Sequence, residues 1–369
     1  MNISQHSLSF LTGLLAWLLL MPYIVWSNRA ILTLSFFFLV IAYLLYLYKD
    51  NFLVERKSLF LVSLWFVCSL FLLQPGMPNG TSYTGYFFLL STLGIFLILP
   101  ERLKISSYYQ FKLIFTVSLL PGMFYWILHT VGINIDFAII GQIADDQMLN
   151  PQKSETGTFY YLLPGSVILN YTLDYPLFRL CGMFDEPGIV GTISALLLAA
   201  DRVDLSKPTN LLLLLAGIMS LSLAFVVILT IYAVLVYRGR NIAKDLIIVA
   251  LLVIALLLLL PSSVTTGLSD LLLSRLDLTE SGLEKYSRSG TALELNWHDW
   301  MGSSSLALLF GLNHYLTPDG SSNWQIIPIT RGLVGVTALV ILLVAAVYKR
   351  VNTWRCLLYT SPSPRDRYI

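Results

Sequence analysis

Arg179, Asp185 and Glu186 stand close together in RLCGMFDEPG, directly ahead of the apolar run GIVGTISALLL. Pro187-Gly188 reads as a turn feeding a helix, because proline suits a helix's first turn. The free amides and the dipole of such a helix start attract anions. Arg179, with a planar fork suited to bidentate contacts, completes a candidate phosphate site there. Glu186, a carboxylate at the polar–apolar boundary, is a candidate general base. A plainer reading stands beside this one: acidic residues at a helix start are ordinary capping, and Arg179 pairs with Asp185.

A second group of candidates lies in RLDLTESGLEKYSRSGTALELNWHDW, from Arg275 to Trp300, and in FGLNHYLTPDGSSNW, from Phe310 to Trp324. Arg275 opens this stretch and Arg288 sits within YSRSG. Trp297, His298 and Trp300 fall on an expected amphipathic helix at a membrane interface, where tryptophan commonly serves as an anchor. His314 is a candidate to move a proton near neutral pH, although a lone histidine is often only a surface residue. His298 and His314 lack metal-ligand spacing and no HExxH cluster occurs, so no metal and no cofactor are expected.

The elements that must position these residues are membrane helices. Of 369 residues, 56% are hydrophobic and 12% charged, and mean hydropathy is +0.74. Apolar residues therefore far exceed what a soluble core needs. Continuous apolar runs, rather than alternation with a period of two, predict helices rather than a barrel. The expected fold is an all-α polytopic membrane protein of about ten transmembrane helices, at 8–26, 30–48, 58–73, 83–99, 111–131, 188–200, 210–220, 221–237, 245–260 and 332–348. The run from Asn210 to Tyr237 is too long for one ordinary span, and MSLS at Met219–Ser222 offers small polar residues for a reversal.

Charge placement orients the bundle. With the N-terminus cytoplasmic, the inside loops collect Arg56, Lys57, Arg102, Lys104, Lys112, Arg202, Lys207, Arg238, Arg240 and Lys244 among others. That excess of cations obeys the positive-inside rule. Two long loops, 132–187 and 261–331, then emerge together on the outer face, and they are expected to carry short helices. The spans hold almost no ionisable residues, which speaks against pumps, channels and ion-coupled transport. A net charge of +2 gives no pull toward nucleic acid. The cysteines, three in all, are read as structural.

RLCGMFDEPG followed by GTISALLLAA resembles the Arg-x-x-Gly-x-x-x-Glu-Pro-Gly signature of the O-antigen polymerase (Wzy-like) family of membrane glycosyltransferases. Arg179, Gly182, Glu186, Pro187 and Gly188 occupy its positions. AGIMSLSLAFVVIL is similar to the family's Ser-rich hairpin, and YSRSG with LLFGLNHY is similar to its second-loop pattern. Related O-antigen ligases usually carry an arginine where this chain has Leu223, a departure that favours a polymerase. The resemblance implies a metal-independent, inverting enzyme of the bacterial inner membrane. It would join oligosaccharide repeat units carried on undecaprenyl diphosphate at the periplasmic face, with a chain-length regulator protein as a further expected partner. Arg179 and Arg288 would hold the diphosphate, Arg275 and Trp297 would help bind substrate, and Glu186 or His314 would take the acceptor's proton. A ligase, or a transporter or flippase for a lipid-linked saccharide, is the alternative.

The end of the chain, CLLYTSPSPRDRYI from Cys356, breaks from the preceding composition and resembles the translation of a sequencing-library adapter. The expected native domain is therefore 1–355, truncated at its C-terminal side, with 356–369 as a non-native tail.

Overall fold

The computed structural model describes residues 5–20, 30–50, 56–72, most of 94–131, the strands within 158–182, 183–236 except 185, 291–312 and most of 328–341. The described part is 82% helical with one long apolar helix. It divides into two compact units, one of Met1–Tyr46 with Glu101–Tyr286 and one of Leu47–Pro100 with Ser287–Ile369. The expected span 245–260 and nearly all of 83–99 lie outside the described residues, as does the tail from Cys356.

In the first unit, α1 (Gln5–Leu18) and α2 (Ala30–Asp50) precede α4 (Glu101–Thr130); α3 (Arg56–Leu72) belongs to the second. Over Glu101–Leu128, α4 is the one helix among the described residues long and apolar enough to cross a bilayer. Apolar residues line both of its sides: Leu103, Phe115, Leu119 and Met123 are buried, yet the exposed side is apolar as well. Ile105, Tyr109, Leu113, Val117, Leu120, Phe124 and Ile127 are exposed at helical spacing, while Ser107, Lys112 and Thr116 are buried. An exposed side made of apolar residues, with the few polar ones kept inside, is the arrangement a hydrocarbon solvent favours. Thr116 returns its hydroxyl to the Lys112 carbonyl at 2.8 Å, and Pro121 sits within the helix without an N–H to donate.

Helix α1 packs closely along α4. A Cβ on Gly13 would come within 2.7 Å of the Phe111 backbone nitrogen and 3.0 Å of the Ser107 carbonyl. Because backbone cannot rotate aside, Gly13→Ala is expected to lower stability by about 1–3 kcal/mol. Thermal unfolding of the purified chain in detergent checks this, and an unchanged midpoint would contradict it.

The first long loop is not helical where it is described. β1 (Thr158–Tyr161), β2 (Ser166–Tyr171) and β3 (Leu177–Gly182) form an antiparallel sheet in that order, which corrects the expectation of short helices there. The physical reason is composition: TFYY, SVILNY and LFRLCG are rich in aromatic and β-branched residues that fit a pleated surface. Ile168 pairs with Leu180 and Leu169 with Arg179, with a register shift between Val167 and Ile168. Both β2 and β3 pack against α4.

After β3 come α5 (Pro187–Ala200), α6 (Pro208–Met219) and α7 (Leu223–Val236). The run from Asn210 to Tyr237 does divide into two helices, and the break falls at Ser220–Ser222. Helix α5 ends in two left-handed residues, Arg202 (φ +59°) and Val203 (φ +51°), with the Val203 N–H bonded to the Leu198 carbonyl at 2.8 Å. At 14, 12 and 14 residues, these helices are roughly 21, 18 and 21 Å long. The expected spans 188–200 and 210–220 are thus shorter than the ~30 Å hydrocarbon core.

In the second unit, described by itself, α8 (Thr291–Met301) and α9 (Ser305–Phe310) are the short helices expected in the second loop. They are followed by α10 (Arg331–Ile341). Ser304 caps α9, its hydroxyl accepting from the Ala307 N–H.

Candidate functional site

Strand β3, the turn after it and the start of α5 form one continuous element that holds the RLCGMFDEPG residues. Arg179 projects from β3 and is 5% exposed. Its Nε donates to the Ser220 carbonyl at 2.9 Å and its Nη2 to the Leu221 carbonyl at 3.1 Å. Those carbonyls belong to the break between α6 and α7, where Leu221 adopts φ +47° and no helix continues to satisfy them. A charged fork meeting two orphaned carbonyls therefore replaces the hydrogen bonds that the break removes. The Ser220 hydroxyl donates to the Gly217 carbonyl at 2.7 Å. Gly191 of α5 lies so close that a Cβ there would meet the Ser222 Cβ at 2.3 Å and the Ser220 Oγ at 2.9 Å.

Gly182 turns the chain out of β3 with φ +58°, and a Cβ on it would strike the Leu119 side chain at 2.8 Å. Both the backbone conformation and the contact with α4 require glycine. Phe184 follows, fully buried, stacked on Phe115 with ring centroids 5.6 Å apart and edge-on to Trp17 at 6.5 Å. The Trp17 indole N–H donates to the Ser118 hydroxyl at 3.1 Å. These rings clamp the turn to α4 and α1, so the start of α5 has a fixed origin.

Glu186 is the N-cap residue of α5, extended at φ −129° and ψ 133°, and its side chain makes no capping bond to the first turn. The capping reading of this carboxylate is therefore not what the structure shows. Pro187 takes the first helical position and Gly188 the next, with open space where a Cβ would stand. Asp185, with its proposed pairing to Arg179, lies outside the described residues.

The far end of α5 holds a second polar cluster that sequence reasoning missed. Lys112, placed with the inside-loop cations above, is instead buried within α4 and donates to both Asp201 and Asn210. The Lys112 and Asp201 side chains are 4% and 5% exposed. Tyr108 donates to the Asp201 Oδ1 and to the Leu197 carbonyl, both at 3.3 Å, and the Asn210 amide donates to the Asp204 carbonyl at 2.8 Å. Lys207, half-exposed, lies 3.6 Å from Asp201 and 3.8 Å from Asp204. Asp201 sits in the turn beyond α5. Burial there pushes its carboxyl up, but hydrogen bonds and charge from Lys112, the charge of Lys207 and the Tyr108 hydroxyl outweigh burial and hold it below the usual carboxylate range. Hydrogen bonds from the Ser206 hydroxyl and amide lower Asp204 likewise. The sequence signal for this cluster was Lys112 inside the apolar run 111–131, which holds no other lysine or arginine.

Trp297 and Trp300 fall on α8 with ring centroids 5.0 Å apart. Trp300 is 3% exposed, packs with Ile329 and donates its indole N–H to the Ala307 carbonyl at 3.2 Å, so it is a core residue of its unit rather than an interfacial anchor. Trp297 packs at the edge of that cluster, and His298 is exposed on the same helix. Arg275, Arg288 and His314 lie outside the described residues. Among the described residues no group of three His, Cys, Asp or Glu side chains is placed to hold a metal ion.

Comparison of the chain with protein-family models, with curated proteins and with solved structures finds no match.

Proposed function

We propose that this chain is a polysaccharide polymerase of the O-antigen type. It joins saccharide repeat units carried on undecaprenyl diphosphate at the periplasmic face of a bacterial inner membrane, without a metal. The observation that carries the reading is the position of Glu186: a partly buried carboxylate at the N-cap of α5, set between the Gly182–Phe184 turn and the first turn of the helix. Beside it, Gly188 leaves the first turn open to a close approach. Both residues belong to the run that resembles the family signature, and the apolar outer face of α4 supports the bilayer placement.

In the proposed reaction the acceptor hydroxyl attacks the anomeric carbon of the donor sugar from the face opposite the diphosphate. A carbon–oxygen bond forms, the bond to the lipid diphosphate breaks with inversion, and the hydroxyl proton passes to Glu186 or His314. Diphosphate leaves as an anion, and stabilising its growing charge is the larger catalytic contribution. Arg288 and Arg275 of the second loop are the cations proposed for that anion, with Trp297 as a sugar-facing aromatic. Arg179 contributes by holding the α6–α7 break beside the α5 start, and a diphosphate reaching the guanidinium would meet a group already oriented by two carbonyls.

Transport is the reading from another class. A coupled transporter uses the carbonyls of a broken helix to bind a cation, whereas here a guanidinium of the chain itself occupies that place. Glu186→Gln keeps the shape of the side chain and removes its basicity. In cells lacking their own polymerase, this variant is expected to abolish the ladder of long chains while single repeat units still reach the outer face. Persistent long chains would overturn the assignment of Glu186, and loss of single units would point to flipping.

A further inference from the structure

The second unit holds a groove with an apolar lining. Leu64 and Val67 of α3, Leu309 of α9, and Leu333, Thr337 and Ile341 of α10 are among the side chains around it, and its volume is about 350 Å³. The hydroxyl of Thr337 is spent on its own helix, donating to the Leu333 carbonyl at 2.7 Å. One end of the groove is fixed by backbone. The Leu312 N–H donates to the Ile329 carbonyl at 2.8 Å, and Gly332, at φ +63°, brings α10 so near α9 that a Cβ there would stand 2.2 Å from the Leu309 carbonyl oxygen. The helices do not close over the groove, since Val67, Leu309, Leu333 and Ile341 are each 41–50% exposed.

Water in a cavity needs several polar partners, and this lining offers none that is unspent. An empty gap would forfeit the dispersion contacts of its walls, which leaves hydrocarbon as the filling. From Leu333 to Ile341 the α10 wall runs about 12 Å, and the volume takes a chain of roughly ten methylene-sized groups at ~30 Å³ each. A further helix, about 10 Å across with its side chains, is too large for it. The polarity of the ends gives the chain a direction. Ser304 and Ser305 are exposed at the α9 end, where Arg331 begins α10, and both a guanidinium and a helix start favour a phosphate. We propose that the groove between α3, α9 and α10 binds one acyl chain of a phospholipid, with the lipid's phosphate at the α9 end beside Arg331. Phospholipid is the solvent of the bilayer and outnumbers any polyprenyl carrier, so mass action favours it. The inference rests on the bilayer placement of the polymerase reading but not on polymerisation itself.

The test is native mass spectrometry of the full chain in detergent micelles, with palmitoyl-oleoyl-phosphatidylglycerol added after the purified protein has been stripped of lipid. Wild type is expected to keep a single phospholipid under activation that removes detergent. Thr337→Phe and Val67→Phe fill the groove from opposite walls and are expected to lose that adduct, whereas Thr337→Val keeps the size of the side chain and retains it. Thermal midpoints of the stripped proteins control for folding. Both phenylalanine variants should melt at or above wild type, and added lipid should raise the midpoint of wild type and Thr337→Val alone. Lower midpoints in both would show that the groove has no room to fill, and would overturn the proposal. A wild type without an adduct, or an adduct that survives both phenylalanines, would overturn it as well. An adduct that undecaprenyl phosphate displaces, identified by its mass, would overturn the phospholipid in favour of the carrier. None of these results touches the loss of chain extension expected in Glu186→Gln, while a chain soluble without detergent would remove the bilayer placement itself.

Discussion

Arg179→Ala is expected to disable the protein more completely than any other single change in the described unit. The variant leaves the Ser220 and Leu221 carbonyls without the two charge-assisted bonds that satisfy them at 2.9 and 3.1 Å. Bonds to charged groups contribute about 1.5–3 kcal/mol each, and buried carbonyls left unmade cost comparably. A loss of about 3–5 kcal/mol is therefore expected, together with chain extension. Hydrogen exchange across Leu221–Phe225 in the full chain is the discriminating readout, since amides at the break should exchange at least tenfold faster. Arg179→Lys keeps the charge but not the fork, so it should exchange at an intermediate rate. If exchange at the break is unchanged in Arg179→Ala while chain extension is lost, the arginine acts on substrate and not on the break.

The second large effect is expected at the other end of α5. Lys112 and Asp201 are a buried pair whose removal one partner at a time leaves an uncompensated charge. Lys112→Met alone should cost about 3–5 kcal/mol, whereas Lys112→Met with Asp201→Leu should recover most of it. Thermal unfolding in detergent reads both, and additive losses in the double variant would contradict the pairing. The pH dependence follows from the depressed carboxyl. Its stabilisation is fully present above the ordinary carboxylate pKa of about 4 and is lost as pH falls through the lower folded value. Wild-type stability should hold from neutral pH down to about 5 and fall in acid, and the part of that fall due to Asp201 should vanish in Asp201→Asn.

What was legible in the sequence was what local pattern carries. The break between α6 and α7 could be read from the excess length of the run and from SLS at Ser220–Ser222, because small polar residues are where an apolar helix can afford to stop. Helix α5 could be read from Pro187-Gly188 and the apolar residues after it. The sheet was missed because β2 and β3 are short and lie in a loop judged by its length, although SVILNY and LFRLCG carry strand propensity. Lys112 was misplaced for a different reason. Its partners Asp201 and Asn210 lie about ninety residues away in the chain, and a hydropathy window has no access to them. The target of Arg179 was equally out of reach: main-chain carbonyls have no letter in the sequence, so only the folded chain reveals which of them a guanidinium will meet. Trp300 was read as an anchor because tryptophan near a membrane so often is one, yet its partner, the Ala307 carbonyl, lies just beyond its own helix.

The apolar outer side of α4 separates its solubility from its fold. Ile105, Leu113, Val117, Leu120, Phe124 and Ile127 face outward, whereas the contacts that fix α1, β3 with its following turn, α5 and α6 come from Ser107, Tyr108, Lys112, Phe115, Leu119 and Gly122 on the inner side. Recasting the outer row as glutamate, lysine and glutamine, all good helix formers, would change the medium the helix tolerates without altering what it holds. The same row, extended over the exposed faces of α2 and α7, defines the coat a designer would replace to carry this unit into water.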